Sequence, residues 1–314
     1  MRIGKLKLNS NVIMAPMAGV NCTSFRLICH EYGAGLVSTP MIYANNLVAR
    51  PERVIKKTCF LKKEKPISVQ LVGADTENMK EAAIIIEKYA DVIDVNLGCP
   101  DRKIIENKAG GFFSKHPEQI DKIVKPVIDN TNKPVTAKIR TGWNGKSINT
   151  LKTIKILNDL GVDAITIHAR NVKQGYSGKA DLNEIKKAKQ TSKVLIIGNG
   201  DIFSPDDAKS MIEKTKCDGV MVGRGCIGNP FIFKRINSLL KDRKNTPEPN
   251  GKDKKKAFFK FLNYYEKYEN NRNFTEIKQH AMRFTKGVSK NTRYNLTKTK
   301  SIDEIKNIYE DDLR

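Results

Sequence analysis

The sequence lacks the features that mark a disulfide-stabilised, zinc-binding or membrane-spanning protein. No apolar run approaches the ~18–20 residues that span a bilayer. Residues 1–4 do not begin a signal peptide. We therefore expect a cytoplasmic protein with reduced thiols, no membrane segment and no metal site. The six cysteines form no Cys-x-x-Cys pair and no zinc-ligand spacing; they are Cys22, Cys29, Cys59, Cys99, Cys217 and Cys226.

Acidic residues are in the minority. The chain of 314 residues has 57 Lys and Arg against 34 Asp and Glu, a formal net charge of +23. Residues 241–300 hold 17 basic and 6 acidic residues, a net charge of +11. A local excess of this size favours a docking surface for a polyanion, first of all nucleic acid. A generally lysine-rich composition is the alternative.

The first 240 residues repeat a short apolar run followed by a polar amphipathic segment. Continuous apolar runs are typical of parallel strands that are covered on both faces. Eight such runs predict a (β/α)8 TIM barrel. A doubly wound open sheet also alternates strands and helices, but no Gly-x-Gly-x-x-Gly turn follows the first strand. The predicted strands are 12–16, 35–39, 67–72, 92–97, 135–140, 164–168, 194–198 and 219–222.

The segments between and after these runs carry helix signals. Ser204 and Pro205 predict a helix start, and Gly161 predicts a helix end. We divide the chain into a barrel domain (1–241), a polar linker (242–256) and a basic helical domain (257–314). Aromatic residues lie at helical spacing in the third segment, and we interpret them as core rather than as an RNA-stacking surface.

Polar and reactive residues collect at the carboxyl ends of the predicted strands. In a barrel these ends form one face, on which active sites are built from several strands. Core packing would not place lysine, histidine and arginine there repeatedly. The residues at this face are Pro16, Met17, Ala18, Gln70, Asn96, Cys99, Lys138, Arg140, His168, Arg170, Asn199, Gly200, Asp201, Gly223, Arg224 and Gly225.

Two glycine turns, after the seventh and eighth strands, predict a phosphate site. Backbone N–H groups of Gly200, Gly223 and Arg224 can approach a phosphate, and the Arg224 guanidinium adds charge-assisted hydrogen bonds. Tight-turn chemistry alone is the alternative. Adjacent glycine turns with an arginine favour the phosphate of a bound flavin nucleotide.

Three polar side chains in apolar strands are candidate cofactor contacts. A buried ammonium at Lys138 needs a negative partner, and a reduced flavin carries negative charge on its pyrimidine edge. A Schiff base and an inward salt bridge are the alternatives. The Gln70 amide must be hydrogen-bonded, which the edge of a flavin ring would satisfy. His168 is either a ligand contact or a core histidine.

Cys99 lies on a stiff turn between Gly98 and Pro100. A thiol with a pKa near ~8.5 is mostly protonated at neutral pH, as a general acid must be. A nucleophilic cysteine would need a lowered pKa and a partner base, and the sequence has no local Cys-His motif. We therefore predict proton donation, with a small buried hydrophobic residue as the alternative.

Together these residues resemble the tRNA-dihydrouridine synthase family. The run Asn96-Leu97-Gly98-Cys99-Pro100 is the most specific of the matching segments. The stretch 109–117 departs from the family, which usually has a run of small residues with leucines there. The matching segments are 14–20, 69–73, 96–100, 137–142, 166–170, 174–181, 198–202, 221–225 and 278–287.

The resemblance implies an FMN-containing TIM barrel that reduces specific uridines of tRNA, with NADPH as the electron source. It implies that Cys99 protonates uracil C5 after hydride reaches C6, and that Asn96, Arg140 and Tyr176 face the uracil. It places tRNA contacts at Lys278, Arg283 and Lys286. It implies FMN contacts at Pro16, Met17, Ala18, Gln70, Lys138, His168, Asn199, Gly200, Asp201, Gly223 and Arg224.

Two other functions remain open. A barrel flavoenzyme acting on a free pyrimidine would share the cleft residues but would not need the basic helical segment. A non-catalytic tRNA-binding protein would use the barrel only as a scaffold, and it would bind no flavin. No protein partner is implied by the sequence.

Overall fold

A computed structural model describes residues 1–269, 273–285 and 290–312. The strands are β1 (Arg2–Ile3), β2 (Leu6–Lys7), β3 (Val12–Met14), β4 (Val37–Ser38), β5 (Ile42–Tyr43), β6 (Ile67–Val72), β7 (Val92–Asn96), β8 (Val135–Arg140), β9 (Ala164–His168), β10 (Leu195–Asn199) and β11 (Gly219–Val222). The helices are α1 (Thr23–Glu31), α2 (Ala44–Ala49), α3 (Pro51–Thr58), α4 (Thr76–Ile86), α5 (Arg102–Glu106), α6 (Asp121–Asp129), α7 (Thr150–Leu160), α8 (Leu182–Thr191), α9 (Pro205–Thr215), α10 (Phe231–Asp242), α11 (Gly251–Tyr268), α12 (Phe274–Phe284), α13 (Lys290–Lys298) and α14 (Ile302–Asp312).

Eight parallel strands form a closed barrel. They neighbour one another in the order β4, β6, β7, β8, β9, β10, β11, β3. The ring closes between β3 and β4, where the Met14 N–H donates to the Leu36 carbonyl at 2.9 Å. The TIM barrel predicted from the sequence is therefore confirmed. Four strands have the predicted bounds, and the other four differ by one or two residues at one or both ends.

Side chains alternate between the two faces of each strand, as strand geometry requires. Outward-facing residues such as Val95 and Ile167 are fully buried in the layer between barrel and helices. Inward-facing positions include an apolar cluster, with Ile13, Ile197 and Met221, and polar residues. Among the polar residues are Asp94 and Thr136, whose side chains hydrogen-bond to each other at 2.6 Å. The polar part of the interior leads towards the carboxyl ends of the strands.

The predicted helix ends of the barrel are confirmed. Ser204 Oγ accepts the Asp207 N–H at 3.1 Å, and the Asp207 carboxylate accepts the Ser204 N–H at 2.8 Å. Pro205 is the first residue of α9. Gly161 ends α7 with a left-handed φ of 82°. No helix in the described ranges has both the length and the apolar character needed to cross a membrane.

The predicted linker is longer than the irregular segment. Helix α10 runs through Asp242, and α11 already begins at Gly251, so only 243–250 is irregular. Asn250 caps α11 by accepting the Asp253 N–H at 2.9 Å. The lysines at 252–256 therefore belong to the first turns of a helix. Lys252 and Lys256 are exposed there, and Lys255 donates to the Glu310 carbonyl at 3.2 Å.

Helices α11 to α14 form a helical tail packed against α1 of the barrel. Phe258, Phe261 and Tyr265 are fully buried, as expected of core residues. Phe258 also stacks on Tyr309 of α14, with ring centroids 4.1 Å apart. The division into two independent domains stays a prediction.

Candidate active site

A cleft of about 390 Å³ opens at the carboxyl ends of the barrel strands. All fifteen residues predicted for catalysis, cofactor and uracil line it, so the structure brings them together, while their individual roles stay predictions. The sequence analysis missed Met41 after β4 and Phe203 after β10. Residues that also line the cleft are Ala15, Val20, Gly98, Pro100, Ile202, Met221, Gly225 and Ile227.

A hydrogen-bonded network forms the floor of the cleft. Gln70 Nε2 donates to Asp94 Oδ2 at 2.6 Å, and Asn96 Nδ2 donates to Gln70 Oε1 at 2.8 Å. Asp94 also accepts from the Thr136 hydroxyl. Burial raises the pKa of Asp94 against these hydrogen bonds. Asp94 was missed, although an acid in an apolar strand is the same signal that identified Lys138.

The turn that carries Cys99 is held from both sides. Asn96 Oδ1 accepts the N–H of Gly98 at 3.1 Å and that of Cys99 at 2.9 Å. On the other side the Gly111 N–H donates to the Cys99 carbonyl at 2.9 Å. A Cβ on Gly111 would lie 2.6 Å from that carbonyl oxygen, so this close approach requires glycine. The unusual stretch 109–117 thus supports the turn.

Burial raises the pKa of the Cys99 thiol, and the Asp101 charge adds to this, while the Asp101 backbone, Arg140 and Lys138 oppose it. The thiol is half-buried and lines the cleft. It is therefore protonated at neutral pH and accessible to a ligand. The arrangement suits an acid better than a nucleophile.

Three cationic or titratable groups project into the cleft from β8 and β9. Lys138 Nζ donates to Asn199 Oδ1 at 3.2 Å, and burial with the nearby Arg140 lowers its pKa to about 8. Arg140 donates to the carbonyls of Asn171 and Gly175, and burial lowers its pKa to about 10. The negative charge of a ligand would therefore stabilise the protonated form of Lys138.

His168 is neutral in this site. Burial lowers its pKa to about 2, and the positive charges of Lys138, Arg140, Arg170 and Arg224 act in the same direction. A neutral imidazole offers one hydrogen-bond donor and one acceptor to a ligand. It does not titrate near neutral pH.

The glycine turns after β10 and β11 lie side by side at one end of the cleft. Gly200 has a φ of 127°, and a Cβ there would lie 2.9 Å from the Ala180 Cβ. Asp201 pairs with both Arg170 and Arg224, at 2.8 and 3.2 Å. The Arg224 guanidinium also lies over the Tyr176 ring, 4.9 Å from its centroid. These contacts hold the Arg224 guanidinium beside the two glycine turns.

Of the residues predicted to contact tRNA, Lys278 and Arg283 lie outside the cleft. Lys278 Nζ donates to the carbonyls of Thr297 and Thr299 at 2.8 Å each, so its ammonium holds the end of α13. Arg283, at the end of α12, is exposed. Lys286 lies outside the described residues.

Comparisons with known proteins agree with this geometry. The dihydrouridine synthase family model matches residues 13–312. The tRNA-dihydrouridine synthase B of Pasteurella multocida is 36% identical over 255 residues, 81% of this chain and 77% of that protein. The enzyme of that name from Vibrio vulnificus is 36% identical over 249 residues, 79% of this chain and 77% of that protein.

Solved structures share the fold at low identity. Histamine dehydrogenase from Rhizobium sp. 4-9 has a TM-score of 0.59 at 12% identity, over 84% of this chain and 50% of that one. The old yellow enzyme homologue from Zymomonas mobilis has a TM-score of 0.59 at 12% identity, over 79% of this chain and 93% of that one. The family match and the curated relatives lead to one conclusion: the chain belongs to the dihydrouridine synthase family of flavin-dependent oxidoreductases.

Proposed function

We propose that the chain reduces the C5–C6 bond of specific uridines in tRNA, with FMN as hydride carrier and Cys99 as proton donor. The observation that carries the proposal is the Cys99 thiol, which is protonated and held on a braced turn in a cleft rich in cations. The relatives named tRNA-dihydrouridine synthase B support the substrate. Such an enzyme acts where tRNA is found, and we propose the cytoplasm.

The cleft fits a flavin nucleotide at both ends. At one end Gly223 leaves room for a phosphate beside the Arg224 guanidinium, since a Cβ there would meet nothing closer than 3.6 Å. At the other end Gln70 and Lys138 offer an amide and an ammonium to the polar edge of a ring. A flavin held by these residues would supply the hydride for uracil C6, with NADPH as our proposed reductant.

The chain's own residues would then bind the uracil and supply the proton. The Arg140 guanidinium and the exposed Tyr176 ring lie 5.7 Å apart, and together they offer charge and a flat surface to the base. Cys99 would deliver its proton to C5 from the turn that Asn96 holds. A uridine must leave the tRNA stack to reach this depth, at a cost of a few kcal/mol.

The outer face of α13 supports tRNA as the partner. Lys290, Arg293 and Lys298 are exposed there, and residues 290–300 contain no acid. The Tyr294 ring is 58% exposed, and the Lys298 ammonium lies 4.2 Å from its centroid. Exposed cations beside an aromatic ring are suited to phosphates and unpaired bases. We propose this face, rather than Lys278, as a tRNA contact.

The decisive experiment compares substrates under single turnover. The FMN-loaded enzyme is reduced with NADPH and mixed with an unmodified tRNA transcript or with free uridine, and dihydrouridine is quantified by mass spectrometry. We expect product from tRNA and none from uridine. Reduction of the free pyrimidine at a comparable rate would support the alternative flavoenzyme, and a protein that binds no flavin would contradict the proposal.

The α13 face has its own test. Neutralising Arg293 and Lys298 to alanine should weaken tRNA binding and reduce the slope of log affinity against log salt by roughly 0.7–0.9 for each lost phosphate contact. Lys193→Ala is the control, because this exposed lysine precedes β10 at the opposite end of the barrel. Equal effects of both sets of changes would exclude α13 as a specific contact.

A further inference from the structure

Three side chains with metal-ligand chemistry converge where the helical tail meets the barrel. Cys22 caps the start of α1, and Glu276 and His280 belong to α12. Their ligand atoms all lie within 4.8 Å of one another, and Cys22 Sγ is 4.0 Å from His280 Nε2. Glu276 and His280 are four residues apart, so they share one face of the helix. None of the three lines the cleft.

We propose that this cluster of Cys22, Glu276 and His280 binds one Zn²⁺ ion, which fixes the tail to the barrel. Thiolate, imidazole and carboxylate are the ligands that zinc takes in proteins, at about 2.0–2.3 Å. Ligand atoms around a tetrahedral ion are then about 3.3–3.8 Å apart. The cluster needs a contraction of up to about 1.5 Å to reach that geometry, and water would complete the coordination.

The His280 ring is already held in place. It is 3% exposed and lies between the rings of Phe25 and Phe261, at centroid distances of 5.0 and 4.5 Å. Its Nδ1 is buried and has no well-formed hydrogen bond.

Glu276 is held by a hydrogen bond. It accepts the Tyr265 hydroxyl at 2.5 Å, and this hydrogen bond fixes the carboxylate towards the cluster. Outer partners of this kind are typical of metal sites, where they orient the ligands.

Charged groups of both signs surround the cluster. The carboxylates of Glu269 and Glu276 are the negative groups that act on Cys22. Arg26, Lys57 and Arg283 are the positive groups that act on members of the cluster. Binding of Zn²⁺ would break the Cys22 S–H bond, form the S–Zn bond and release one proton to solvent.

Sequence analysis did not predict this site, because Cys22 is 258 residues from His280 along the chain. Its consequence would be structural. The ion would fix the orientation of α12, and with it the position of the basic tail relative to the cleft. This role is independent of the reaction, so the uridine reductase and the zinc site can each fail without the other.

The test measures zinc on the FMN-loaded holoenzyme. Chelator-treated protein is titrated with Zn²⁺, and bound zinc is quantified against flavin by mass spectrometry, with Co²⁺ substitution to detect a sulfur-to-metal charge-transfer band. We expect one ion per flavin, about one proton released per ion, and a rise of a few degrees in Tm. Absence of stoichiometric zinc or of the sulfur band in the wild-type protein overturns the proposal.

Two variants and one control assign the ligands. Cys22→Ser and Glu276→Gln should weaken zinc binding at least about tenfold, the lower end of what loss of an outer partner alone costs. Gln at position 276 still accepts from Tyr265, so the fold is preserved. Cys59→Ser is the matched control, because this thiol also lies between barrel and tail, 3.3 Å from the Tyr268 carbonyl. Unchanged zinc affinity in Cys22→Ser would also overturn the proposal.

Discussion

The side-chain oxygen of Asn96 accepts the backbone N–H of Cys99 at 2.9 Å. The other end of the same amide donates to Gln70, which in turn donates to Asp94. A continuous network therefore joins the polar interior of the barrel to the turn that carries the proposed acid. Asn96 was predicted to face uracil, and both ends of its amide are occupied by protein groups. We infer that it also positions Cys99.

This relationship predicts a positioning defect in Asn96→Ala. Loss of the amide leaves the N–H groups of Gly98 and Cys99 without their acceptor, so we expect the Cys99 thiol to move from its position in the cleft. Misplacement of a reacting group by about 1 Å can cost about 10²-fold in rate. We expect uridine reduction in pre-reduced enzyme to fall by about that factor, measured by rapid-mixing flavin reoxidation. Flavin content should stay normal. A wild-type rate would show that Gly111 alone holds the turn.

Cys99→Ala should remove proton donation and leave the cofactor site intact. The expected loss is about 10²–10⁴-fold in single-turnover uridine reduction, the range for a positioned general acid. Bound FMN and its reduction by NADPH should be normal, since the thiol lies on the turn after β7. Cys59→Ser, which changes a half-buried cysteine outside the cleft, serves as the control. Full turnover in Cys99→Ala would remove the thiol from its role.

The rate should depend on pH through the Cys99 thiol. Burial raises its pKa, so the protonated, active form persists above the ordinary thiol value of about 8.5 and is lost as pH rises further. His168, with a pKa of about 2, adds no acidic limb near neutrality. We expect a flat rate through neutral pH and an alkaline fall, measured on pre-reduced enzyme. An alkaline limb that survives unchanged in Cys99→Ala would belong to another group.

Lys138 should tune the flavin electronically. The ammonium has a pKa of about 8 in the cleft, and an anionic reduced ring would stabilise its charge. Lys138→Met should therefore make the flavin harder to reduce, by about 1–4 kcal/mol, or about 20–90 mV for two electrons. Lys138→Arg should recover part of that shift. Spectroelectrochemical titration measures the potential, and an unchanged value in Lys138→Met would contradict the assignment.

Much of the barrel could be predicted because its strands are buried on both faces. Apolar runs predicted strands such as β8 with the correct bounds. Charged residues inside those runs, such as Lys138, indicated which side chains face the interior of the barrel. Strand ends in a parallel barrel must meet, so residues from seven different segments could be assigned to one cleft. That inference required only the position of each residue at the end of a predicted strand.

Contacts made by helix packing could not be predicted in this way. Lys278 was assigned to tRNA by the family resemblance, and its assignment stays a prediction. Its ammonium binds the Thr297 and Thr299 carbonyls, which only the packing of α12 on α13 brings near. The start of α11 was missed because its first turns are polar, although Asn250 and Asp253 have capping-box spacing. Long-range partners leave no periodic trace in a single sequence.

The buried pair of Arg26 and Glu64 should dominate the stability of the α1 region. Arg26 is 1% exposed, and its Nε lies 2.7 Å from Glu64 Oε2. The guanidinium also donates to the carbonyls of Asn21 and Thr58, both at 2.9 Å, which ties α1 to its flanking segments. Arg26→Met leaves a buried carboxylate without its cation, and we expect a loss of about 3–5 kcal/mol in the free energy of unfolding. Urea denaturation with saturating FMN measures this quantity.

The same argument makes a second substitution diagnostic. Adding Glu64→Leu to Arg26→Met removes the orphaned charge, so the double variant should recover much of the loss, because replacing both members of a buried pair by apolar residues is often nearly neutral. Arg102 and Glu106 form the control pair, 2.7 Å apart but largely exposed, and their disruption should change little. If the double variant is as unstable as Arg26→Met, the stability comes from the backbone contacts of the guanidinium rather than from the compensation of charge.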